Sequence, residues 1–190
     1  MDLSIDLNGG QLAGADLSNR DLSETDLSGA NLTGANLCGA ILSRANLESA
    51  LLNEADLSRA NLIQADLSDA WLFNANLREA KLPFAQMAGS TLNGADLSGA
   101  LLNGADLLAA NMQQSDLSNA DLRNAILIQA FLVDADLSGA DLSGADLWGA
   151  NLINANLTGA TLPEGIGKID AWPAGVWPTT LWPEGYGPLT

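Results

Sequence analysis

Residues 135–149 read ADLSG ADLSG ADLWG, three copies of one five-residue unit. The central Leu of this unit recurs every five residues from Leu7 to Leu162, over 32 consecutive positions that include two Met (Met87 and Met112). The position two before it is Ala in 26 of 30 units, and the position just before it is Asp or Asn in 20 of 29. One unbroken period of five therefore governs the chain up to residue 162.

A period of five fits neither of the two common secondary structures. In an α-helix, successive Leu residues would drift by about 140° per unit and form no apolar face. In a flat strand, an odd spacing would put them on alternate faces. A chain that turns by about 90° per unit keeps every Leu inside, the small Ala near the corner, and a positive-φ residue such as Gly at the turn. We therefore predict an all-β, four-sided solenoid of about eight 20-residue coils, ~38 Å long at strand spacing.

The units resemble the pattern A(D/N)LXX of the pentapeptide-repeat family over residues 5–162. The resemblance implies a right-handed quadrilateral parallel β-helix. Some members that confer quinolone resistance inhibit or protect DNA gyrase and look like DNA in size, shape and charge. This chain departs from those members, because its inward residue is never Phe and no loop interrupts its repeats. The regular, Leu-rich pattern is more similar to the many cyanobacterial members.

Composition narrows the classes of function. The net charge of -16 disfavours binding to nucleic acid or to anionic membranes and favours basic protein partners. The absence of His removes the commonest general base and metal ligand, and a lone Cys38 forms no intrachain disulfide. We expect no enzymatic active site, metal or cofactor. The acidic N-terminus and the lack of ~20-residue apolar runs predict a cytoplasmic protein without signal peptide or membrane span.

Residues 20 apart should stack on one face of the prism. We number the faces in chain order, starting with face 1 at Asp16. On faces 1 and 3, the position before the inward residue forms two acidic ribbons, whose candidate binding residues are Asp16, Asp56, Asp96, Asp116 and Asp136 on face 1 and Asp6, Asp26, Asp66, Asp106 and Asp146 on face 3. Face 4 has no acid at that position and carries a predicted apolar contact strip made of Leu51, Trp71, Phe73, Phe131, Val133 and Ile153.

Each surface has two interpretations. The ribbons provide solubility and side-chain hydrogen bonds at the corners, or they mimic phosphates. Residues 1–162 hold 20 acids and 6 bases, a net charge of -14, against about 22 charges on the same length of duplex DNA. The apolar strip is tolerated variation or a contact with a partner or second copy. The sequence thus predicts a protein-binding or scaffold module, with a DNA-mimicking modulator of an enzyme such as DNA gyrase as the alternative.

The last segment, residues 163–190, is rich in Gly, Pro and Trp. Trp172, Trp177 and Trp182 keep the spacing of five, each followed by Pro. A Trp side chain is too large for the inward site that Leu occupies, and Pro has no N–H to donate to the neighbouring coil. We therefore expect no further regular coils after the repeat domain of residues 1–162. The tail is predicted to cap the open apolar edge. The alternatives are a homodimer contact and a partner-binding segment, and the N-terminal edge is a second candidate for pairing two rods.

Overall fold

The computed structural model describes residues 7–164 and 179–184, which form a four-sided solenoid. Within these residues there is no helix and no strand longer than one residue, so none of the described segments could cross a membrane as a helix. The sheet pairing consists of 28 single-residue parallel bridges, 27 of which join residues 20 apart. The bridging residues recur every five positions from Gln11 to Thr161, with a last one at Leu181. This confirms the predicted coil of four pentapeptides. The described residues 7–9 belong to face 3 and 10–14 to face 4, face 1 then starts with residues 15–19 and face 2 with 20–24, and each face repeats every 20 residues.

Each side of the prism ends in a tight turn. In the unit at 135–139, the N–H of Ala140 donates to the carbonyl of Leu137 at 3.1 Å, and the residue between them, Gly139, has a φ of 68°. A positive φ at this position is what a type II turn requires. All 31 corresponding residues from 9 to 159 have positive φ, although 18 of them are not Gly. The corner conformation is therefore imposed by the stacked coils and not by glycine alone.

The core consists of the inward columns of Leu and Ala. The Leu column is fully or nearly fully buried from Leu22 to Leu162, as the period predicted. Each side also hydrogen-bonds to its neighbours in the stack: the N–H of Leu137 donates to Asn156 at 2.7 Å, and that of Asp136 donates to Ser115 at 2.9 Å. Every coil is thus held chiefly by the coils directly before and after it, so stability is a sum of nearest-neighbour contributions.

Four polar residues replace Ala in the corner column, and three of them are buried, whereas Arg20 is exposed. The hydroxyl of Ser90 donates to the carbonyl of Met87, and that of Ser115 to the carbonyl of Met112, both at 2.7 Å. Thr25, the third, is also buried. Both Met residues of the Leu column thus stand three positions before a Ser. The unbranched Met side chain adapts to irregular space, which suits a corner where a hydroxyl replaces a hydrogen.

The C-terminal segment adds one more piece of coil. Leu181 bridges Asn156 across 25 residues instead of 20, and its carbonyl accepts the N–H of Leu157 at 2.7 Å. Trp182 follows Leu181 as Leu157 follows Asn156, and it packs half-buried against the core. A Trp at the inward position was not anticipated from the sequence.

Two further contacts hold this segment on the last coil. The hydroxyl of Thr180 donates to the carbonyl of Leu152 at 2.7 Å, and Pro183 is buried. Residues 179–184 therefore cover part of the apolar end of the solenoid. Trp172 and Trp177, the other residues of the predicted cap, lie outside the described residues.

Candidate protein-binding faces

The Asp and Asn side chains of the ribbons are part of the turn structure. At all 20 positions where Asp or Asn precedes the inward residue between 16 and 156, its side-chain oxygen accepts the backbone N–H two residues on, at 2.8–3.4 Å. Ser58 donates to Asp56 in this way at 2.9 Å. Such bonds are how Asx residues stabilise turns. The geometry therefore supports a structural role for the ribbon acids from Asp16 to Asp146, whereas Asp6 of the predicted face 3 ribbon lies outside the described residues.

The face 1 ribbon is also bonded from coil to coil. Where Asn follows Asp in the stack, its side-chain amide donates to the carboxylate of the preceding coil at 3.0–3.1 Å, in the pairs Asn36–Asp16, Asn76–Asp56 and Asn156–Asp136. The intervening amides separate like charges. Only Asp96, Asp116 and Asp136 occupy three successive coils without an Asn between them. The densest line of carboxylates on face 1 is therefore this run of three.

Local hydrogen bonds also set the ionisation of several acids. The hydroxyl and the N–H of Ser23 hold the pKa of Asp21 below its usual value, and Ser28 does the same for Asp26. On face 2, the guanidinium of Arg123 hydrogen-bonds Asp121 at 2.7 Å, which lowers the pKa of that carboxyl. These three groups carry their full negative charge at neutral pH.

Basic residues are confined to one half of the prism. All six between residues 7 and 164 lie on face 2 or on the adjoining edge of face 1, namely Arg20, Arg44, Arg59, Arg78, Lys81 and Arg123. Several pair with acids of the same half, as in Arg44–Glu24 at 3.3 Å and Arg59–Glu79 at 3.0 Å. The described parts of faces 3 and 4 hold no Lys or Arg but eight Asp or Glu. The faces were predicted to differ in their acidic and apolar residues. They also differ in their basic residues, which was not predicted.

The apolar strip predicted on face 4 is divided. Leu51, Trp71 and Phe73 form one patch, with Trp71 55% exposed. Phe131, Val133 and Ile153 lie further along the rod. In the two coils between, the outward positions of face 4 on either side of the inward residue are polar: Thr91, Asn93, Asn111 and Gln113. The amide of Asn93 donates to Asn111 at 3.0 Å, which closes this polar gap. Face 4 thus presents two apolar patches and not one strip.

The acidic ribbon predicted on face 3 is interrupted in its C-terminal half. Ile126 replaces the acid between Asp106 and Asp146, and large apolar residues follow the inward position in three successive coils: Leu108, Ile128 and Trp148. Around the corner they adjoin Phe131 and Val133 of face 4. We call these six residues (Leu108, Ile126, Ile128, Phe131, Val133 and Trp148) the corner patch. Phe131 and Val133 belong to the predicted strip, but sequence reasoning missed the rest of the patch because it did not sort the position after the inward residue on face 3.

Comparison with known proteins identifies the fold family. The family model of pentapeptide repeats matches the chain in eight copies, over residues 5–44, 40–78, 72–107, 102–139 and 132–164. The chain belongs to the pentapeptide-repeat family. Among solved structures, it is similar to HetL from the cyanobacterium Nostoc sp. strain PCC 7120, described as involved in heterocyst differentiation regulation, at 37% identity over 89% of each chain with a TM-score of 0.72. The fold is accordingly the right-handed quadrilateral β-helix.

More distant pentapeptide-repeat structures share less of this chain. QnrB1, a plasmid-mediated fluoroquinolone resistance protein, is 22% identical over 84% of this chain and 82% of its own, with a TM-score of 0.44. A thylakoid-lumen member from Arabidopsis thaliana is 30% identical over 47% of this chain and 66% of its own, with a TM-score of 0.37. A search of curated proteins returned no significant match.

Proposed function

We propose that this pentapeptide-repeat protein is a non-enzymatic rod that binds a protein partner through faces 3 and 4. The observation that carries the proposal is the asymmetry of the surface. The described parts of faces 3 and 4 hold eight acids and no base. They also carry six exposed large apolar side chains: Trp71, Phe73, Leu108, Ile126, Phe131 and Trp148. Clustered exposed apolar residues mark contact surfaces. Acids without neighbouring bases favour a basic partner.

The form of the molecule favours binding over catalysis. The inward columns of Leu and Ala are buried from Leu22 to Leu162, so the interior of these coils is apolar core. The ribbon carboxylates lie on flat outer faces and hold turns. Within residues 7–164 and 179–184, no three acidic or Cys side chains are grouped to hold a metal ion. A flat, rigid rod is a surface for a macromolecule.

The similarity to HetL favours a regulatory role. HetL is described as involved in the regulation of heterocyst differentiation. We extend to this chain a role in regulation that is exerted by contact with another protein. A cytoplasmic location stays a prediction of the sequence.

The test compares the two halves of the prism. A faces 3–4 variant carries Trp71→Ser, Phe131→Ser and Trp148→Ser, and a matched face 2 variant carries Ile41→Ser, Phe84→Ser and Leu101→Ser. All six positions are exposed apolar residues. Each immobilised full-length chain is exposed to an extract of the source organism, and retained proteins are quantified by mass spectrometry. We expect a partner that the unchanged chain and the face 2 variant retain equally, and that the faces 3–4 variant retains at least tenfold less.

Unfolding has to be separated from loss of binding. Circular dichroism melting of the three chains serves as the control, because serine at exposed positions should leave the melting temperature nearly unchanged. Equal retention by all three folded chains would rule out faces 3 and 4 as the binding surface.

A DNA-mimicking modulator of DNA gyrase is the second candidate function. The run Asp96, Asp116 and Asp136 supports it, because carboxylates about 4.8 Å apart form the densest charge on face 1. The assay is gyrase supercoiling at low and moderate salt with the unchanged chain and with a variant in which the five face 1 acids become Asn: Asp16, Asp56, Asp96, Asp116 and Asp136. Asn keeps the oxygen that accepts the turn hydrogen bond and removes the charge.

The outcomes of this assay are separable. Mimicry predicts inhibition by the unchanged chain that is lost in the Asn variant and weakens steeply with salt. Absence of inhibition at micromolar protein, or equal inhibition by both chains, excludes mimicry through the face 1 ribbon.

A further inference from the structure

We infer that the corner patch binds a basic amphipathic α-helix of a partner protein, lying parallel to the axis of the rod. This inference rests on the proposed protein-binding function and adds the place and the chemistry of the contact. Three features of the described residues carry it: the spacing of the apolar side chains, the acids on both borders of the patch, and the rigidity of the backbone beneath it.

The spacing of the patch suits a helix. Leu108, Ile128 and Trp148 occupy the same position in three successive coils, as the bridges from Asp106 to Ile126 and from Ile126 to Asp146 show. Coils are stacked at about 4.8 Å. The apolar side chains of a helix at i, i+3 or i+4, and i+7 advance by about 5.4 Å per turn. The mismatch is about 0.6 Å per coil and about 1.2 Å over the patch, so each helical turn meets one coil.

An extended peptide fits the same patch less well. Its side chains on one face are two residues apart, which corresponds to about 6.6–6.8 Å. This spacing differs from the coil spacing by about 2 Å at every step, so the second contact already falls between coils. A helix is therefore the partner whose side-chain spacing matches the spacing of the coils, and about two to three helical turns span the patch.

Acidic residues border the patch on both sides. Asp106 and Asp146 lie before the inward position on face 3, on either side of Ile126, and Asp134 lies beside Val133 at the far edge of the patch on face 4. No Lys or Arg occurs on the described parts of either face. A helix whose apolar stripe is flanked by Lys or Arg on both sides would place positive charge against both borders. Complementary charge of this kind fixes orientation and speeds association.

The patch is built on a rigid scaffold. The carboxylates of Asp106 and Asp146 accept the backbone N–H of Leu108 and Trp148 at 3.0 Å, so the acidic border and the apolar residues are fixed relative to each other. Trp148 is 66% exposed and Phe131 lies one face away. Large aromatic side chains on a preorganised surface are the usual anchors of protein interfaces. Trp148 is the residue on which we expect binding to depend most.

The test uses a defined peptide in place of an unknown partner. An 18-residue helical peptide of Leu and Lys with a single Leu stripe is the probe. A peptide of the same composition with Leu on all sides of the helix, and one with Glu in place of Lys, are the controls. Binding to the full-length chain is followed by fluorescence anisotropy at moderate salt. We expect the striped Lys peptide to bind at least tenfold more tightly than the unstriped one, and the Glu peptide not to bind.

Variants locate the contact. Trp148→Ser with Ile128→Ser should weaken the striped peptide at least tenfold, whereas Phe84→Ser with Leu101→Ser on face 2 should leave its affinity unchanged. Phe84, at 60% exposed, is a close match for Trp148. Equal binding of striped and unstriped peptides, or equal losses in both variants, would overturn the inference. Light scattering that gives a dimer of this chain, converted to monomer by Trp148→Ser, would overturn it in favour of self-association.

Retention of the natural partner by the variants distinguishes a failure of this inference from a failure of the proposed function. A partner that is retained by a chain carrying Ile128→Ser, Phe131→Ser and Trp148→Ser but lost from the faces 3–4 variant keeps the proposed function and refutes the corner patch as its site. A partner retained equally by all the chains refutes the proposed function itself.

Discussion

Faces 1 and 2 of this rod share one core with faces 3 and 4 but present a different surface. In both halves the inward Leu and Ala are buried, and the same turn closes every side. The first half carries all six basic residues of the described repeats, several of them paired with acids on the same half. The second half carries none, and most of the exposed apolar side chains lie there. The fold fixes the inward positions alike in every coil and leaves the outward positions free to differ.

The comparison shows which residues of a repeat protein serve the fold and which are available for binding. Because each coil has to satisfy the same core and the same ladder, residues that agree from coil to coil describe the fold. Residues that depart from the repeat, such as Ile126 and Trp148, are not needed by the fold and are the candidates for binding. Experiments that change one class and not the other test this division.

The largest effect is expected where an inward and an outward Leu lie close together in sequence. Leu97 is 0% exposed and Leu101 is 39% exposed, although they are four residues apart. Leu97→Asp buries an unpaired carboxylate and should lower the free energy of unfolding by several kcal/mol. Leu101→Asp should change it by less than about 0.5 kcal/mol, because surface changes are usually small. Urea denaturation of both variants measures the difference.

Equal stability of these two variants would contradict the separation of inward from outward positions. The comparison is controlled internally, since both changes convert Leu to Asp within one coil and alter the net charge alike. Burial is the main difference between the two positions, and at position 101 the new Asp also stands where Asp accepts a turn N–H in other units and next to Lys81 in the stack.

A smaller effect separates the two interpretations of the acidic ribbon. Asp136 accepts the N–H of Ser138 at 2.9 Å and the amide of Asn156 at 3.0 Å. Asp136→Ala removes both acceptors and should cost about 1 kcal/mol. Asp136→Asn keeps the acceptor for Ser138 and relieves repulsion from Asp116, so its stability should stay within a few tenths of a kcal/mol of the unchanged chain. Thermal unfolding of the pair provides the measurement.

The result bears on both halves of the rod, because the same hydrogen bond recurs wherever Asp or Asn precedes the inward residue. If the Ala and Asn variants unfold at the same temperature, the turn bond contributes no stability. The ribbon acids would then differ from other outward residues only in their charge, and this result would favour phosphate mimicry.

Most of the fold was predictable from the sequence. The uninterrupted period of five specified the four-sided coil, the buried Leu column and the turn at the fifth residue, because neither an α-helix nor a flat strand puts every fifth residue in the same environment. The resemblance to the pentapeptide-repeat family supplied the handedness. The position of Trp182 was not predictable, because it depends on how a 25-residue step meets the last coil.

The candidate binding surface was predictable only in part. Stacking residues 20 apart placed Trp71 and Phe131 on one face, and the structure keeps them there. The polar gap at Asn93 and Asn111 and the corner patch emerge only when both outward positions and the adjoining face are considered together. These are properties of a surface, and a pattern read along one column does not contain them.

The smallest expected effect is a dependence of stability on pH that comes from the locally bonded acids. The pKa of Asp21 is held down by Ser23 and that of Asp121 by Arg123. A lowered pKa in the folded state contributes stability that is present above the unfolded value of about 3.9 and is lost as pH falls through the folded value.

A double variant, Asp21→Asn and Asp121→Asn, lacks this contribution. The melting temperature of the unchanged chain should therefore exceed that of the variant above pH ~5, and the gap should narrow toward pH ~2. Measuring the gap, and not the melting temperature itself, cancels the relief of general charge repulsion that acid brings to a chain of net charge -16. A gap that stays constant down to pH ~2 would show that these hydrogen bonds do not favour the ionised carboxylates, and that both acids on face 2 are as indifferent to the fold as its outward apolar residues.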